Sequence, residues 1–212
     1  GAAIALPTDV SSKGDVERMV DRTIQELGSV SILVNHAGIT PAGRVVEQIP
    51  EEDWDRTLAV HLKGTFLCSQ AVLPRMREQG WGRIINISGG NARNAGNLSG
   101  GARNVSMVHM TKTLSTQMGR FGITVNCIHP GTTRTERTPG MLAARAAQLG
   151  VSAEEVERQD FEPDSPSGNA ICRMVDADEI AYLTTYLASD KAWAITGEVI
   201  AAGGGMGNAV YY

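Results

Sequence analysis

Tyrosine is missing from the first 181 residues of this chain; its four copies stand at 182, 186, 211 and 212. Aromatic residues of all kinds make up only 5% of the sequence. Cysteine is scarce too. Cys68, Cys127 and Cys172 lie far apart with no C-x-x-C pair, which suggests neither a disulfide scaffold nor a structural zinc site. Free thiols fit a reducing compartment, so the cytoplasm is expected. Histidines at 36, 61, 109 and 129 are scattered, and no metal site is expected. No apolar run reaches the roughly 18 residues of a membrane span. The start, Gly1 to Leu6, lacks a basic stretch and soon meets Pro7 and Asp9, so it does not read as a signal peptide. Positive charge is not in excess either. The formal net charge is -4, which gives no electrostatic reason to expect nucleic acid or anionic membrane as a partner.

What is present is an alternation. Apolar residues at 42% and charged residues at 20% fit a folded globular chain. Ala2 to Leu6 reads as a buried strand ending at Pro7. Ser12 and Asp15 have capping-box spacing before a helix that puts Val16, Met19, Val20, Thr23 and Leu27 on one face. Val30 to Val34 reads as a second strand, apolar on both faces as parallel sheets require. A helix runs from Pro50 to about Met76, expected to bury Trp54, Leu58, Leu62, Phe66 and Leu73, with Pro74 kinking its last turn. Arg83 to Ile87 is the third strand, 88 to 101 a glycine-rich loop, Ala102 to Met118 a helix and Thr124 to Ile128 the fourth strand. Residues 132 to 170 look like an insertion with helices near 141 to 147 and 152 to 160 and a turn at Pro163-Asp164-Ser165-Pro166. A helix over Asp176 to Leu187 and a strand over Glu198 to Ala201 complete the pattern.

Strand and helix in this rhythm mean an α/β fold, a Rossmann-like doubly wound parallel sheet in a single domain. Ligands of such sheets sit at the carboxyl ends of the strands. The loops at 35 to 41, 88 to 101 and 130 to 137 all leave that edge.

Five motifs along the chain appear in a telling order: Asp9-Val10, Asn35-His36-Ala37-Gly38, Val60-His61-Leu62-Lys63-Gly64, Pro130-Gly131-Thr132 and Ile195-Thr196-Gly197-Glu198. In this order and spacing the chain resembles the classical short-chain dehydrogenases/reductases over essentially its whole length. The resemblance implies an NAD(P)-dependent oxidoreductase acting on a carbonyl or alcohol of a small molecule; NAD and NADP are not distinguished. It implies cofactor contacts from Asp9 and Val10 (adenine ring), Asn35, Ala37 and Gly38 (central sheet), and Pro130, Gly131 and Thr132 (nicotinamide). His61 falls where the family has an asparagine that holds a proton-relay water. The family also implies a homodimer or homotetramer built on the helices at 53 to 76 and 102 to 118. The 132 to 170 insertion would be a mobile lid that carries specificity.

Two departures stand beside the match. The family's Gly-rich pyrophosphate turn is absent, and so is the first strand, which would pair with Val30 to Val34. The expectation is that roughly 40 to 55 preceding residues belong to the whole protein. The catalytic set is absent as well. The family uses a serine, a tyrosine and a lysine four residues on, because a phenol near pKa 10 must be brought toward neutrality to move a proton. Register from Arg83 to Ile87 puts the serine position at Gly89, and register from Thr111-Lys112 puts tyrosine at Gly100 and lysine at Asn104. Ser88 and His61 are then the tentative catalytic residues, with Ser99 and His109 as further polar candidates. Asn91, Arg93, Asn94, Asn97, Arg103 and Asn104 form an Asn/Arg concentration suited to planar oxyanions or amides. Asn91, Asn97 and Arg134 are the substrate-binding candidates. The rival expectations are an inactive binding or structural member of the fold, and non-redox dehydration or isomerisation in the same pocket.

Overall fold

The computed structural model describes residues 1–39, 45–93, 95–163, 165 and 168–207. Thr40, Pro41, Asn94, Asp164, Pro166, Tyr211 and Tyr212 lie outside the described residues. In chain order the elements are α1 (Lys13–Leu27), β1 (Ile32–Asn35), α2 (Glu51–Leu58), a π turn (Ala59–Lys63), α3 (Gly64–Gln79), β2 (Gly82–Ile87), α4 (Leu98–Met118), β3 (Ile123–Pro130), β4 (Thr133–Arg134), α5 (Thr138–Leu149), α6 (Ala153–Asp160), β5 (Val175–Asp176), α7 (Ala177–Ala188) and β6 (Val199–Ala202).

The main sheet is parallel throughout, in the order β1-β2-β3-β6. Its strands are apolar on both faces because both faces are covered. Ile84, Ile123 and Val125 pack against Val20 of α1 and Val72 and Met76 of α3. On the opposite face Ile85, Ile87 and Ile128 pack against Leu187 of α7 and Ala192. The sheet is therefore doubly wound, and every βα loop of it opens at one edge.

Several expectations change. Ala2 to Leu6 is not a strand. A strand exists only by pairing, and among the described residues the outer side of β1 has no partner. Ile32 and Val34 of β1 are 47% and 43% exposed, apolar residues on a strand whose outer side is uncovered. Ser12 is the N-cap of α1, but its side chain makes no cap bond, and Asp15 pairs with Arg18 instead, so no capping box forms. The long helix after Pro50 is interrupted by the π turn, which shifts the buried face of the helix beyond it. Leu67, Cys68, Val72 and Met76 are buried in α3, whereas Phe66 is 48% exposed and Trp54, Leu58, Leu62 and Leu73 are only half-buried. Pro74 lies inside α3, which continues to Gln79. The helix α4 starts earlier than expected because Asn97 caps it, its side chain accepting from the Gly100 N–H at 2.9 Å. Gly100 and Gly101 are thus helical.

The 132 to 170 insertion builds its own small core: Leu142, Ala146, Val156, Phe161 and Met174. The chain enters it through β4 and leaves through β5, which pair in parallel.

Candidate active site

The carboxyl edge gathers most of the residues singled out in the sequence. A polar chain crosses beneath it. Asn35 donates to Asn86 Oδ1 at 2.9 Å, and Asn86 donates to Thr111 Oγ1 at 2.9 Å, tying β1, β2 and α4 together. Asn35 is therefore a structural residue of the central sheet. Asp9 accepts from the Ser11 backbone N–H at 2.9 Å and from the Ser11 hydroxyl at 2.7 Å, and these bonds hold its carboxyl below the usual range. Val10 packs against Gly64, where a Cβ would come within 2.8 Å of it. Gly131 donates its N–H to the Ala202 carbonyl at 3.1 Å, and the Thr132 carbonyl accepts from the Val175 N–H at 3.0 Å.

The three family positions converge. A Cβ on Gly89 would lie 3.0 Å from Asn104 Nδ2. A Cβ on Gly100 would lie 3.1 Å from both Asn91 Nδ2 and Asn97 Cγ. Both gaps are tighter than ordinary van der Waals contact. A side chain begun at either glycine would press on a carboxamide. Asn104 is 2% exposed, and its Oδ1 has no partner among the described residues.

Ser88 lies just inside. Its hydroxyl donates to the Asn104 carbonyl at 3.4 Å, and the Cys127 thiol donates to the Ile128 carbonyl at 3.9 Å. Burial pushes that thiol up to about 11, so Cys127 is no nucleophile. His61 sits in the π turn, with its ring against Gly38, 3.0 Å from where a Cβ would stand. It is 6% exposed. Burial first, and then the Arg103 cation, holds it down to about 4, so it is a neutral imidazole at pH 7. Its Nδ1 has no partner among the described residues.

The substrate-binding candidates separate. The Asn97 oxygen caps α4, and Asn91 faces Gly100. Arg134 is taken up by ion pairs with Glu157 of α6 and Asp176. His109 is an exposed residue of α4, and Ser99 is buried in its first turn.

A family model described as Enoyl-(Acyl carrier protein) reductase matches residues 1–207. The chain belongs to the short-chain dehydrogenase/reductase family. It is 36% identical over 202 residues to the hydroxy(phenyl)methyl-succinyl-CoA dehydrogenase subunit BbsD of Thauera aromatica, covering 93% of this chain and 73% of that one. It is 30% identical over 207 residues to the D-beta-hydroxybutyrate dehydrogenase of Rhizobium meliloti, covering 97% and 78%. Among solved structures, NAD+-bound xylitol dehydrogenase superposes with a TM-score of 0.78 at 26% identity, covering 93% of this chain and 77% of that one.

Within this short-chain dehydrogenase/reductase, sequence reading overlooked His129. It is 1% exposed, neither ring nitrogen has a partner among the described residues, and burial with the Arg93 charge holds it down to about 4. A polar residue directly before Pro130 on a strand was the available signal. Met206 was also passed over. It packs on Gly90 and, at 3.1 Å from a Cβ position, on Gly203, so the C-terminal segment forms one wall of the edge.

Proposed function

We propose that this protein binds a nicotinamide cofactor and a small carbonyl or alcohol compound at the carboxyl edge, with a proton path that differs from the tyrosine–lysine one. The observation that carries this is the convergence of Gly89, Gly100 and Asn104, with asparagine amides where a serine and a tyrosine would begin. The residues present suit the cofactor in part. Gly131 and Thr132 offer a backbone turn at that edge, Asp9 an acceptor, and Asn104 Oδ1 a buried acceptor that lacks a donor among the described residues. When bound, the cofactor supplies hydride chemistry. The chain's own contribution is orientation and proton movement. Ser88 and the neutral His61 are the hydroxyl and imidazole nearest to that task, His61 as a proton acceptor.

Equilibrium titration of the protein with NAD(H) and NADP(H) tests this reading, followed by turnover on a carbonyl and alcohol panel. Binding without turnover would favour a second reading, a partner or regulatory subunit. That reading has support in the lack of any tyrosine before 182 and in BbsD being named a dehydrogenase subunit. Restoring the set discriminates further. Gly89→Ser alone collides with Asn104, so activity should appear only when Gly100→Tyr and Asn104→Lys are combined with it. A gain of about 10²-fold or more in the triple variant is expected from a repositioned acid/base group. No gain, with cofactor still bound, would mean that the site has diverged beyond these three positions.

The protein is also proposed to self-associate through α3 and α4. A groove of about 260 Å³ between them is lined by Phe66, Leu73, Met110, Leu114 and Met118. Light scattering should give a dimer or tetramer, and Leu114→Arg should shift it toward monomer.

A further inference from the structure

Beyond β6 the chain runs Gly203-Gly204-Gly205-Met206-Gly207, four glycines around one large side chain. This strap passes three parts of the carboxyl edge. At its base the Gly131 N–H donates to the Ala202 carbonyl at 3.1 Å, and a Cβ on Gly131 would come within 2.6 Å of Gly203 Cα. Next the strap meets the return of the segment between β4 and β5. The Ile171 N–H donates to the Gly204 carbonyl at 3.2 Å. A Cβ on Gly204 would lie 2.6 Å from Ile171 Cγ1, and one on Gly205 would lie 2.8 Å from Ala170 Cβ. Only glycine lets two backbones come this close. Then Met206 folds back. Its Cγ and Sδ lie 3.1 and 3.2 Å from a Cβ position on Gly203, and its methyl closes on Gly90 where a side chain there would begin.

The two sides of this junction are built differently. The return loop is a closed turn. Buried Asn169 donates through Nδ2 to the Arg173 carbonyl at 2.8 Å, accepts from the Arg173 N–H at 3.3 Å, and its own carbonyl accepts from the Cys172 N–H at 3.1 Å. A turn tied in this way moves as a unit. The strap has no such closure, since among the described residues 203–207 make no hydrogen bond to one another. Its far end is held by Met206 on Gly90. Gly90 does not take positive φ, so its backbone does not require glycine, and the missing side chain is what admits the methyl. Methionine suits a contact that forms and breaks, because its three rotatable bonds fit irregular gaps. The segment between β4 and β5 has a core of its own, and its ion pairs to the start of α7 are exposed and weak.

We propose that residues 203–207 form a latch, with Met206 as its bolt. While Met206 is seated on Gly90, the strap holds Ile171 and the turn at 169–173 against the edge. When Met206 withdraws, the turn is released and the segment between β4 and β5 swings clear. A displacement at Gly90, beside the family's serine position at Gly89, is thereby felt at Ile171. The latch requires neither cofactor nor turnover, so its test stands apart from the nicotinamide reading.

Amide-resolved hydrogen exchange on the whole chain, without cofactor, tests it. In Met206→Ala the Ile171 amide, whose N–H crosses to the strap, should exchange about tenfold faster or more, as expected when a buried methionine side chain is lost. The Gly131 amide at the base of the strap and the amides of β2 and β3 should keep their rates. Met206→Leu conserves the volume and should keep most of the protection. Gly90→Ala pushes the methyl off its seat and should speed Ile171 as Met206→Ala does. The two combined should do no more than either alone, because they remove the same contact. Met141→Ala, at a methionine of α5 that is 65% exposed, should change nothing.

An Ile171 rate unchanged by Met206→Ala would overturn the proposal. So would equal acceleration at Gly131, β2 and β3, which would make Met206 part of the global fold. Additive effects of Gly90→Ala and Met206→Ala would overturn it as well, since the two residues would then act apart. Cofactor titration of the same samples separates the readings. Cofactor binding with no coupling between Gly90 and Ile171 would sink this inference alone. Coupling with no cofactor binding would sink the nicotinamide reading and leave the latch standing.

Discussion

At the residue scale, glycine does two separate jobs in this chain. Gly122 and Gly28 both hold positive φ, +77° and +89°. At Gly122 a Cβ would strike the Gly80 carbonyl oxygen, which is backbone and cannot yield; at Gly28 it would meet open space. Gly28→Ala should therefore cost only the left-handed strain, about 1–2 kcal/mol. Gly122→Ala should cost clearly more, adding overpacking of about 1–3 kcal/mol. Urea unfolding of the two variants checks the ranking, and equal midpoints would refute it. Gly89 and Gly100 belong to another category. Their backbone is ordinary, and the decisive feature is the amide lying where their side chains would go. Composition flagged the loss of tyrosine but could not reveal that Asn91, Asn97 and Asn104 crowd these two glycines, because that packing joins residues from a loop, a cap and a helix.

At the element scale, the segment from β4 to β5, expected to act as a lid, is a small structure of its own. Its core of Leu142, Ala146, Val156, Phe161 and Met174 is separate from the cores that cover the sheet. It is tied to the start of α7 by exposed ion pairs, Arg134 with Asp176 at 3.4 Å and Arg173 with Glu179 at 2.8 Å. Exposed pairs are weak and screened by salt. The lid should therefore open independently of the sheet. In hydrogen exchange, amides of α5 and α6 are expected to exchange faster than those of β2 and β3, and Phe161→Ala should speed the lid alone while removing about 3–5 kcal/mol of local packing. Uniform protection across lid and sheet would contradict this. The two lid helices were legible from composition and periodicity. The π turn at Ala59–Lys63 was not, since a single wide turn leaves the hydrophobic pattern almost unchanged while moving every later residue around the helix.

At the scale of the whole molecule, stability should depend on two buried imidazoles. His61 and His129 each fall from an ordinary 6.5 to about 4 in the folded chain, burial being the main cause. The unfolded chain therefore binds protons that the folded one refuses. Stability is full above about pH 6.5 and is lost as pH falls toward 4, by up to about 1.4 kcal/mol per pH unit for each histidine. Urea midpoints measured across this window should drop for the wild type and flatten in a His61→Asn, His129→Leu double variant. A flat wild-type profile would mean that the imidazoles find partners on folding. The same burial keeps both rings neutral at pH 7, as a proton-accepting role for His61 requires.

The order of strands and helices, the parallel sheet and the edge proposed to carry function were written into the sequence. They depend on local periodicity and on motifs such as Pro130-Gly131, which act over a few residues. The convergence of Gly89 with Asn104, the seating of Met206 on Gly90, the engagement of Arg134 and the burial of His129 were decided only by the fold. Each depends on which side chains from distant segments meet, and on how much water they lose when they do. Asp9 to Leu27 reads correctly as a turn and helix, but Ala2 to Leu6 does not become a strand, because pairing belongs to the sheet and not to the segment.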